Sequence, residues 1–212
     1  MRRALIGLAV TAFTVLTFAG PASAAPGQVT RFSFHGPFAD AFWSTSSATS
    51  FTDTSVTVSK SMHSSELFVD QFSGNQDANG NFTGGTDTSA DVTSGFSFAI
   101  QQSQLTSAST SGSGLPATTC TVDANFNFTD CHATTIDVSG TWTGQGPISR
   151  SVANDHFKSA GFSVNDHFSG TDRAATATGN VGGLTLGASD LQFADLGSTN
   201  SGTTTVCIGN SC

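Results

Sequence analysis

The densest set of reactive side chains lies at 154–167, where the chain reads NDHFKSAGFSVNDH. With Ala160-Gly161 as a two-residue turn, Phe157 pairs with Val164 and Asp155 with Asp166. His156 and His167 then share the opposite face as a diagonal pair. Opposed carboxyls can pass a proton, because like charges push one pKa upward. Two imidazoles on one face can hold a metal ion. The plainer reading is a surface hairpin in which NDHF occurs twice. The related FVDQFSG at 68–74 carries Gln71 where VNDHFSG at 164–170 carries His167, so this chemistry is not common to both copies. Asp155, His156, Asp166 and His167 are therefore expected to form a polar cluster without catalysis, and hydrolysis at 155–167 is the least favoured function.

A second stretch, NQDANGNFTGGTD at 75–87, has the opening of a calcium loop. It lacks the closing carboxylate, Thr86 standing where Glu is needed. An Asn79-Gly80 hairpin turn of type I′ is the preferred reading. DANFNFTD at 123–130 echoes it. No G-x-S-x-G, H-E-x-x-H, P-loop or dinucleotide glycine pattern occurs. No catalytic residue, metal or cofactor is assigned.

The elements that carry these residues read as strands. Apolar side chains alternate with Ser and Thr around Val56 and Val58, along Phe96, Phe98 and Ile100, and from Ile136 through Val138 to Trp142. No convincing helical stripe follows residue 24. The single Glu and two Lys leave few helix formers, while 23 Gly mark tight turns. SGTW at 139–142 resembles the Gly-x-Trp strand of calycin barrels, which implies a fold likeness and nothing about function.

The order Trp, Lys, Asp-x-Phe-Ser-Gly, apolar strand, Cys pair occurs twice, so a duplicated unit is expected, about 29–131 and 136–212. The fold class is all-β: a duplicated antiparallel unit forming a barrel, with a two-sheet sandwich as second choice. Residues 25–212 are read as one domain. Trp43 and Trp142 hold matching places in the repeats. Both are expected to face inward, where they are the candidate lining of a ligand site.

Composition narrows the function classes. Residues 1–24 read as a secretory signal peptide, with Arg2 and Arg3 ahead of an apolar run and Ala22-Ser23-Ala24 at the cut. The expected location is extracellular, with no membrane span in the mature chain. An even set of four cysteines then implies Cys120–Cys131 and Cys207–Cys212 disulfides. The net charge of −8 leaves no basic patch for nucleic acid. The partners left are a small apolar or glycan ligand, in a secreted binding module, or a cell-envelope component, in a structural or surface-interaction protein.

Overall fold

A computed structural model describes residues 28–61, 64–159 and 162–208. The signal segment, the Ala160-Gly161 turn and the Cys207–Cys212 bridge lie outside the described residues and side chains. Eleven strands account for nearly everything else, and no helix occurs among the described residues. They are β1 (Gln28–Ser46), β2 (Ser50–Lys60), β3 (Ser65–Gln76), β4 (Phe82–Val92), β5 (Phe96–Ile100), β6 (Ser107–Asp123), β7 (Phe128–Gly144), β8 (Ser149–Ser159), β9 (Phe162–Val181), β10 (Leu184–Leu186) and β11 (Leu191–Ile208). The all-β expectation holds.

The chain divides into two compact units. The smaller comprises the described parts of Met1–Phe32, Asp155–Asp166 and Thr204–Cys212; the larger comprises Ser33–Asn154 and His167–Thr203. Their boundaries do not follow the two sequence repeats. The site residues discussed below belong to the larger unit unless stated otherwise.

The sheet runs in the order β10-β9-β11-β1-β2-β3-β4-β6-β5, and β7 pairs with both β6 and β9. In the larger unit this makes the antiparallel sheet partly ringed, with Val138–Gly144 of β7 laddered to Ala175–Val181 of β9. Strand alternation sends one set of side chains inward. Val56 and Val58 of β2 meet Leu67 and Val69 of β3, and Ile136, Val138 and Trp142 project from β7. Each fully buried Val or Leu contributes roughly 1.5–3 kcal/mol by leaving water.

Trp43 and Trp142 are each 1% exposed and are the largest side chains of this core. Trp142 Nε1 donates to the Asp40 carbonyl at 2.9 Å, fastening β7 to β1. Gln71 Nε2 donates to the Val181 carbonyl at 3.2 Å, fastening β3 to β9. Gly140 lies beneath the Trp142 ring; a Cβ there would come within 2.7 Å of it. The spacer between Val138 and Trp142 therefore has to be small.

Two hairpin turns are built alike. At the β3–β4 turn, Asp77 Oδ1 accepts from the Asn79 and Asn81 amides at 2.8 and 2.9 Å, and Oδ2 accepts from Asn81 Nδ2 at 3.0 Å. At the β6–β7 turn, Asp123 makes the same three bonds with Asn125 and Asn127, at 2.8, 2.9 and 2.9 Å. This corrects the two-residue Asn-Gly turn. The loop is wider because the aspartate closes it, with the Asp77 amide bonded to the Asn81 carbonyl. Gly80 takes φ 80° at the tip, where the second turn holds Phe126 at φ 61°. Phe126 stacks on Phe82 with ring centroids 4.5 Å apart, joining the two turns. A disulfide links Cys120 to Cys131 across β6 and β7, their Cα atoms 4.0 Å apart, as the sequence indicated.

Candidate functional site

The residues singled out in the sequence do not assemble into one described site. In the smaller unit, His156 Nδ1 is hydrogen-bonded to Asn165 Oδ1. In the larger unit, His167 Nδ1 is hydrogen-bonded to Asn154 Oδ1. Each bond joins residues directly opposed in the expected hairpin register, and both histidines are exposed. The side chains of Asp155 and Asp166 lie outside those described. Asp77 spends its carboxylate on its own turn, which pulls its pKa below the usual range, the Asn81 side-chain amide acting most strongly. Among the described residues no group of three His, Cys, Asp or Glu side chains is arranged to hold a metal ion.

Trp43 and Trp142 fill the core and do not line the open cleft of about 350 Å³ that indents β2, β3 and β4. That cleft is bordered by Ser50, Phe51, Thr52, Ser73, Asn75 and Thr86, with Gly74 and Gly85 adding backbone only. Two of its hydroxyls bond to each other, Thr52 Oγ1 lying 3.2 Å from Ser73 Oγ.

Two outward faces of the larger unit carry more organised chemistry. The first spans β5, β6, β7 and β9. Register sets Ser107, Thr143 and Thr176 in one cross-strand row and Ser109, Thr141 and Thr178 in the next. The third row is Ser97, Ser111, Ser139 and Asn180. Each is the outward partner of a buried neighbour such as Ala108, Thr110, Trp142 or Ala177, and all but half-buried Asn180 are exposed. Neighbouring hydroxyls bond across strands, Thr141 to Thr178 at 3.1 Å and Ser97 to Ser111 at 2.9 Å. No residue of these rows is charged. The result is a grid with steps of about 4.8 Å across strands and roughly 6.7 Å along them.

The second face spans β11, β1, β2, β3 and β4. It is written in the sequence as a recurring Phe-x-Asp: Phe38-x-Asp40-x-Phe42, Phe51-x-Asp53, Phe68-x-Asp70-x-Phe72 and Phe193-x-Asp195. Alternation puts these residues on the face opposite the core, and the ladders align them. One row is Ser44, Asp53, Phe72, Asp87; the next is Phe42, Ser55, Asp70, Ser89. Phe42 stacks on Phe193 at 5.9 Å, which brings β11 into the same face. Phe51, Phe72 and Phe82 cluster at 5.6–6.3 Å. Phe51 lies over Gly74, where a Cβ would meet its ring at 2.4 Å.

Asp40, Asp53, Glu66, Asp70, Asp87, Asp91 and Asp195 share this second face, seven of the chain's 15 acidic residues. Crowding and burial change their protonation. Burial, with Asp195 beside it, pushes Asp40 up to about 8. Asp40 keeps some exposed area, but its Oδ1 has no contact with solvent and no hydrogen-bond partner, and that local environment sets its proton affinity. Burial, then neighbouring Asp87, pushes Asp70 up to about 7. Asp87 is raised by burial, opposed by the hydrogen bond from Asp70, so the two carboxyls titrate as a pair. Burial and Asp172 raise Asp195; burial and Asp91 raise Glu66.

Comparison with protein families, with curated proteins and with solved structures finds no match. The geometry alone therefore carries the functional argument. Neither face is visible as a motif of the kind used to recognise enzymes. The Phe-x-Asp recurrence was the available signal for one; the hydroxyl grid emerges only once strands are paired.

Proposed function

We propose that this chain is an exported, non-catalytic protein that binds the surface of a hydroxylated polymer, a glycan of the cell envelope, through the grid on β5, β6, β7 and β9. The carrying observation is three successive rows of uncharged residues in register, every one an exposed hydroxyl except half-buried Asn180, centred on Thr141 and Thr178. A hydroxyl both donates and accepts, so such a grid can answer the hydroxyls of a polysaccharide chain without a charge to select against it. The burial of both tryptophans among other core residues supports surface binding over a small-ligand site at the indoles. Export is supported by the signal-like 1–24 segment and by the Cys120–Cys131 bridge, which suits an oxidising compartment.

Co-sedimentation with insoluble polysaccharides (cellulose, chitin and purified cell wall) tests this reading. At least one should pull down the protein, and Thr141→Glu with Thr178→Glu should abolish retention while leaving the circular dichroism spectrum unchanged. Retention equal to that of the parent would refute the grid as the binding surface.

A further inference from the structure

We infer that the Phe/Asp face of β11, β1, β2, β3 and β4 is a second docking surface, and that its occupant is an extended arginine-rich peptide segment. This surface is separate from the hydroxyl grid, and its success or failure does not depend on glycan binding.

Seven acidic side chains share the face, and among the described side chains of these five strands no Lys or Arg is placed on it. The acids are left to manage their own repulsion: Asp70 is hydrogen-bonded to Asp87, and Asp40 keeps a shielded Oδ1 with no partner. A polycation is the complementary ligand.

The interleaved rings make the choice narrower. In the row Asp53, Phe72, Asp87, a half-buried ring stands between two carboxyls on adjacent strands. A guanidinium is planar, meets a carboxylate through two parallel hydrogen bonds and stacks on an aromatic face; an ammonium is a compact, strongly hydrated charge. Alternating carboxyl and phenyl groups therefore favour arginine over lysine. Five strands span roughly 19 Å from first to last. An extended peptide of about six residues covers that distance.

Isothermal titration of the full chain with nona-arginine, nona-lysine and spermine decides the matter. The expected order is nona-arginine tighter than nona-lysine by at least about tenfold, with spermine weaker still, and affinity falling as salt is raised. Asp53→Asn with Asp87→Asn should weaken nona-arginine at least about tenfold; these near-isosteric changes relieve repulsion and should not unfold the sheet. Phe72→Leu, which keeps bulk and removes the π face, should narrow the gap between arginine and lysine. Equal affinity for the two peptides, indifference to the Asp53/Asp87 change in a folded variant, or no binding of nona-arginine would each overturn the inference.

Discussion

At the scale of residues, the aspartates do two opposite jobs. Asp77, Asp123 and Asp137 are ionised acceptors for backbone amides and neighbouring side chains, and those bonds lower their pKa values. They stabilise the fold above the ordinary carboxyl value of 3.8, and that contribution is lost as pH falls below it. Asp40 and Asp70 are raised, to about 8 and about 7, so the folded state binds their protons more tightly than the unfolded chain does. Their contribution is fully present below 3.8 and disappears as pH rises through about 7 and 8. Stability should therefore peak in mild acid. Thermal melts followed by circular dichroism should show Tm dropping by several degrees between pH 5 and pH 9. Asp40→Asn, neutral throughout, should flatten that decline. A Tm that climbs across the same interval would contradict the protonation scheme. Much at this scale was legible in the sequence: Phe42 and Trp43 are neighbours and must face opposite ways, and the tryptophan faces inward. The shifted carboxyls were not, because Asp70 and Asp87 are 17 positions apart and meet only through the β3–β4 ladder.

At the scale of elements, alternation announced the strands but not their lengths. β6, β7, β9 and β11 run for 17 to 20 residues through Gly and Ser that read locally as turns. Gly140 is one such residue; it sits mid-strand to make room for the Trp142 ring. The hairpin that closes on Cys120 and Cys131 was readable because both cysteines flank the DANFNF turn, and short-range chemistry is what a linear sequence displays best. Replacing both cysteines by serine removes a clamp on a loop of sequence separation 11. The variant should lose about 2–3 kcal/mol in urea unfolding with its native spectrum retained. A midpoint unchanged from the parent would show that the twin Asp turn alone defines the β6–β7 register. The hydroxyl grid was illegible for the converse reason. Thr141 and Thr178 are 37 residues apart, and nothing local says that β7 will lie beside β9.

At the scale of the molecule, the larger unit keeps its two tryptophans and most of its aliphatic side chains inside, Ile148 and Val152 being exposed, and presents differently patterned faces outside, one of neutral hydroxyls and one of carboxyls and phenyl rings. Among the described residues no helix is long and apolar enough to cross a membrane. The central claim is that recognition takes place on a face and leaves the core untouched. Intrinsic fluorescence reads this directly, since Trp43 and Trp142 are the only tryptophans and the chain has no tyrosine. The decisive measurement is Trp emission of the protein while a soluble fragment of the retained polysaccharide is titrated in, with occupancy followed independently by equilibrium dialysis. The spectrum should be blue-shifted, its position and intensity constant from free to saturated protein. Quenching or a shift of the emission maximum that tracks occupancy would place the ligand against the tryptophans and contradict binding at the surface grid.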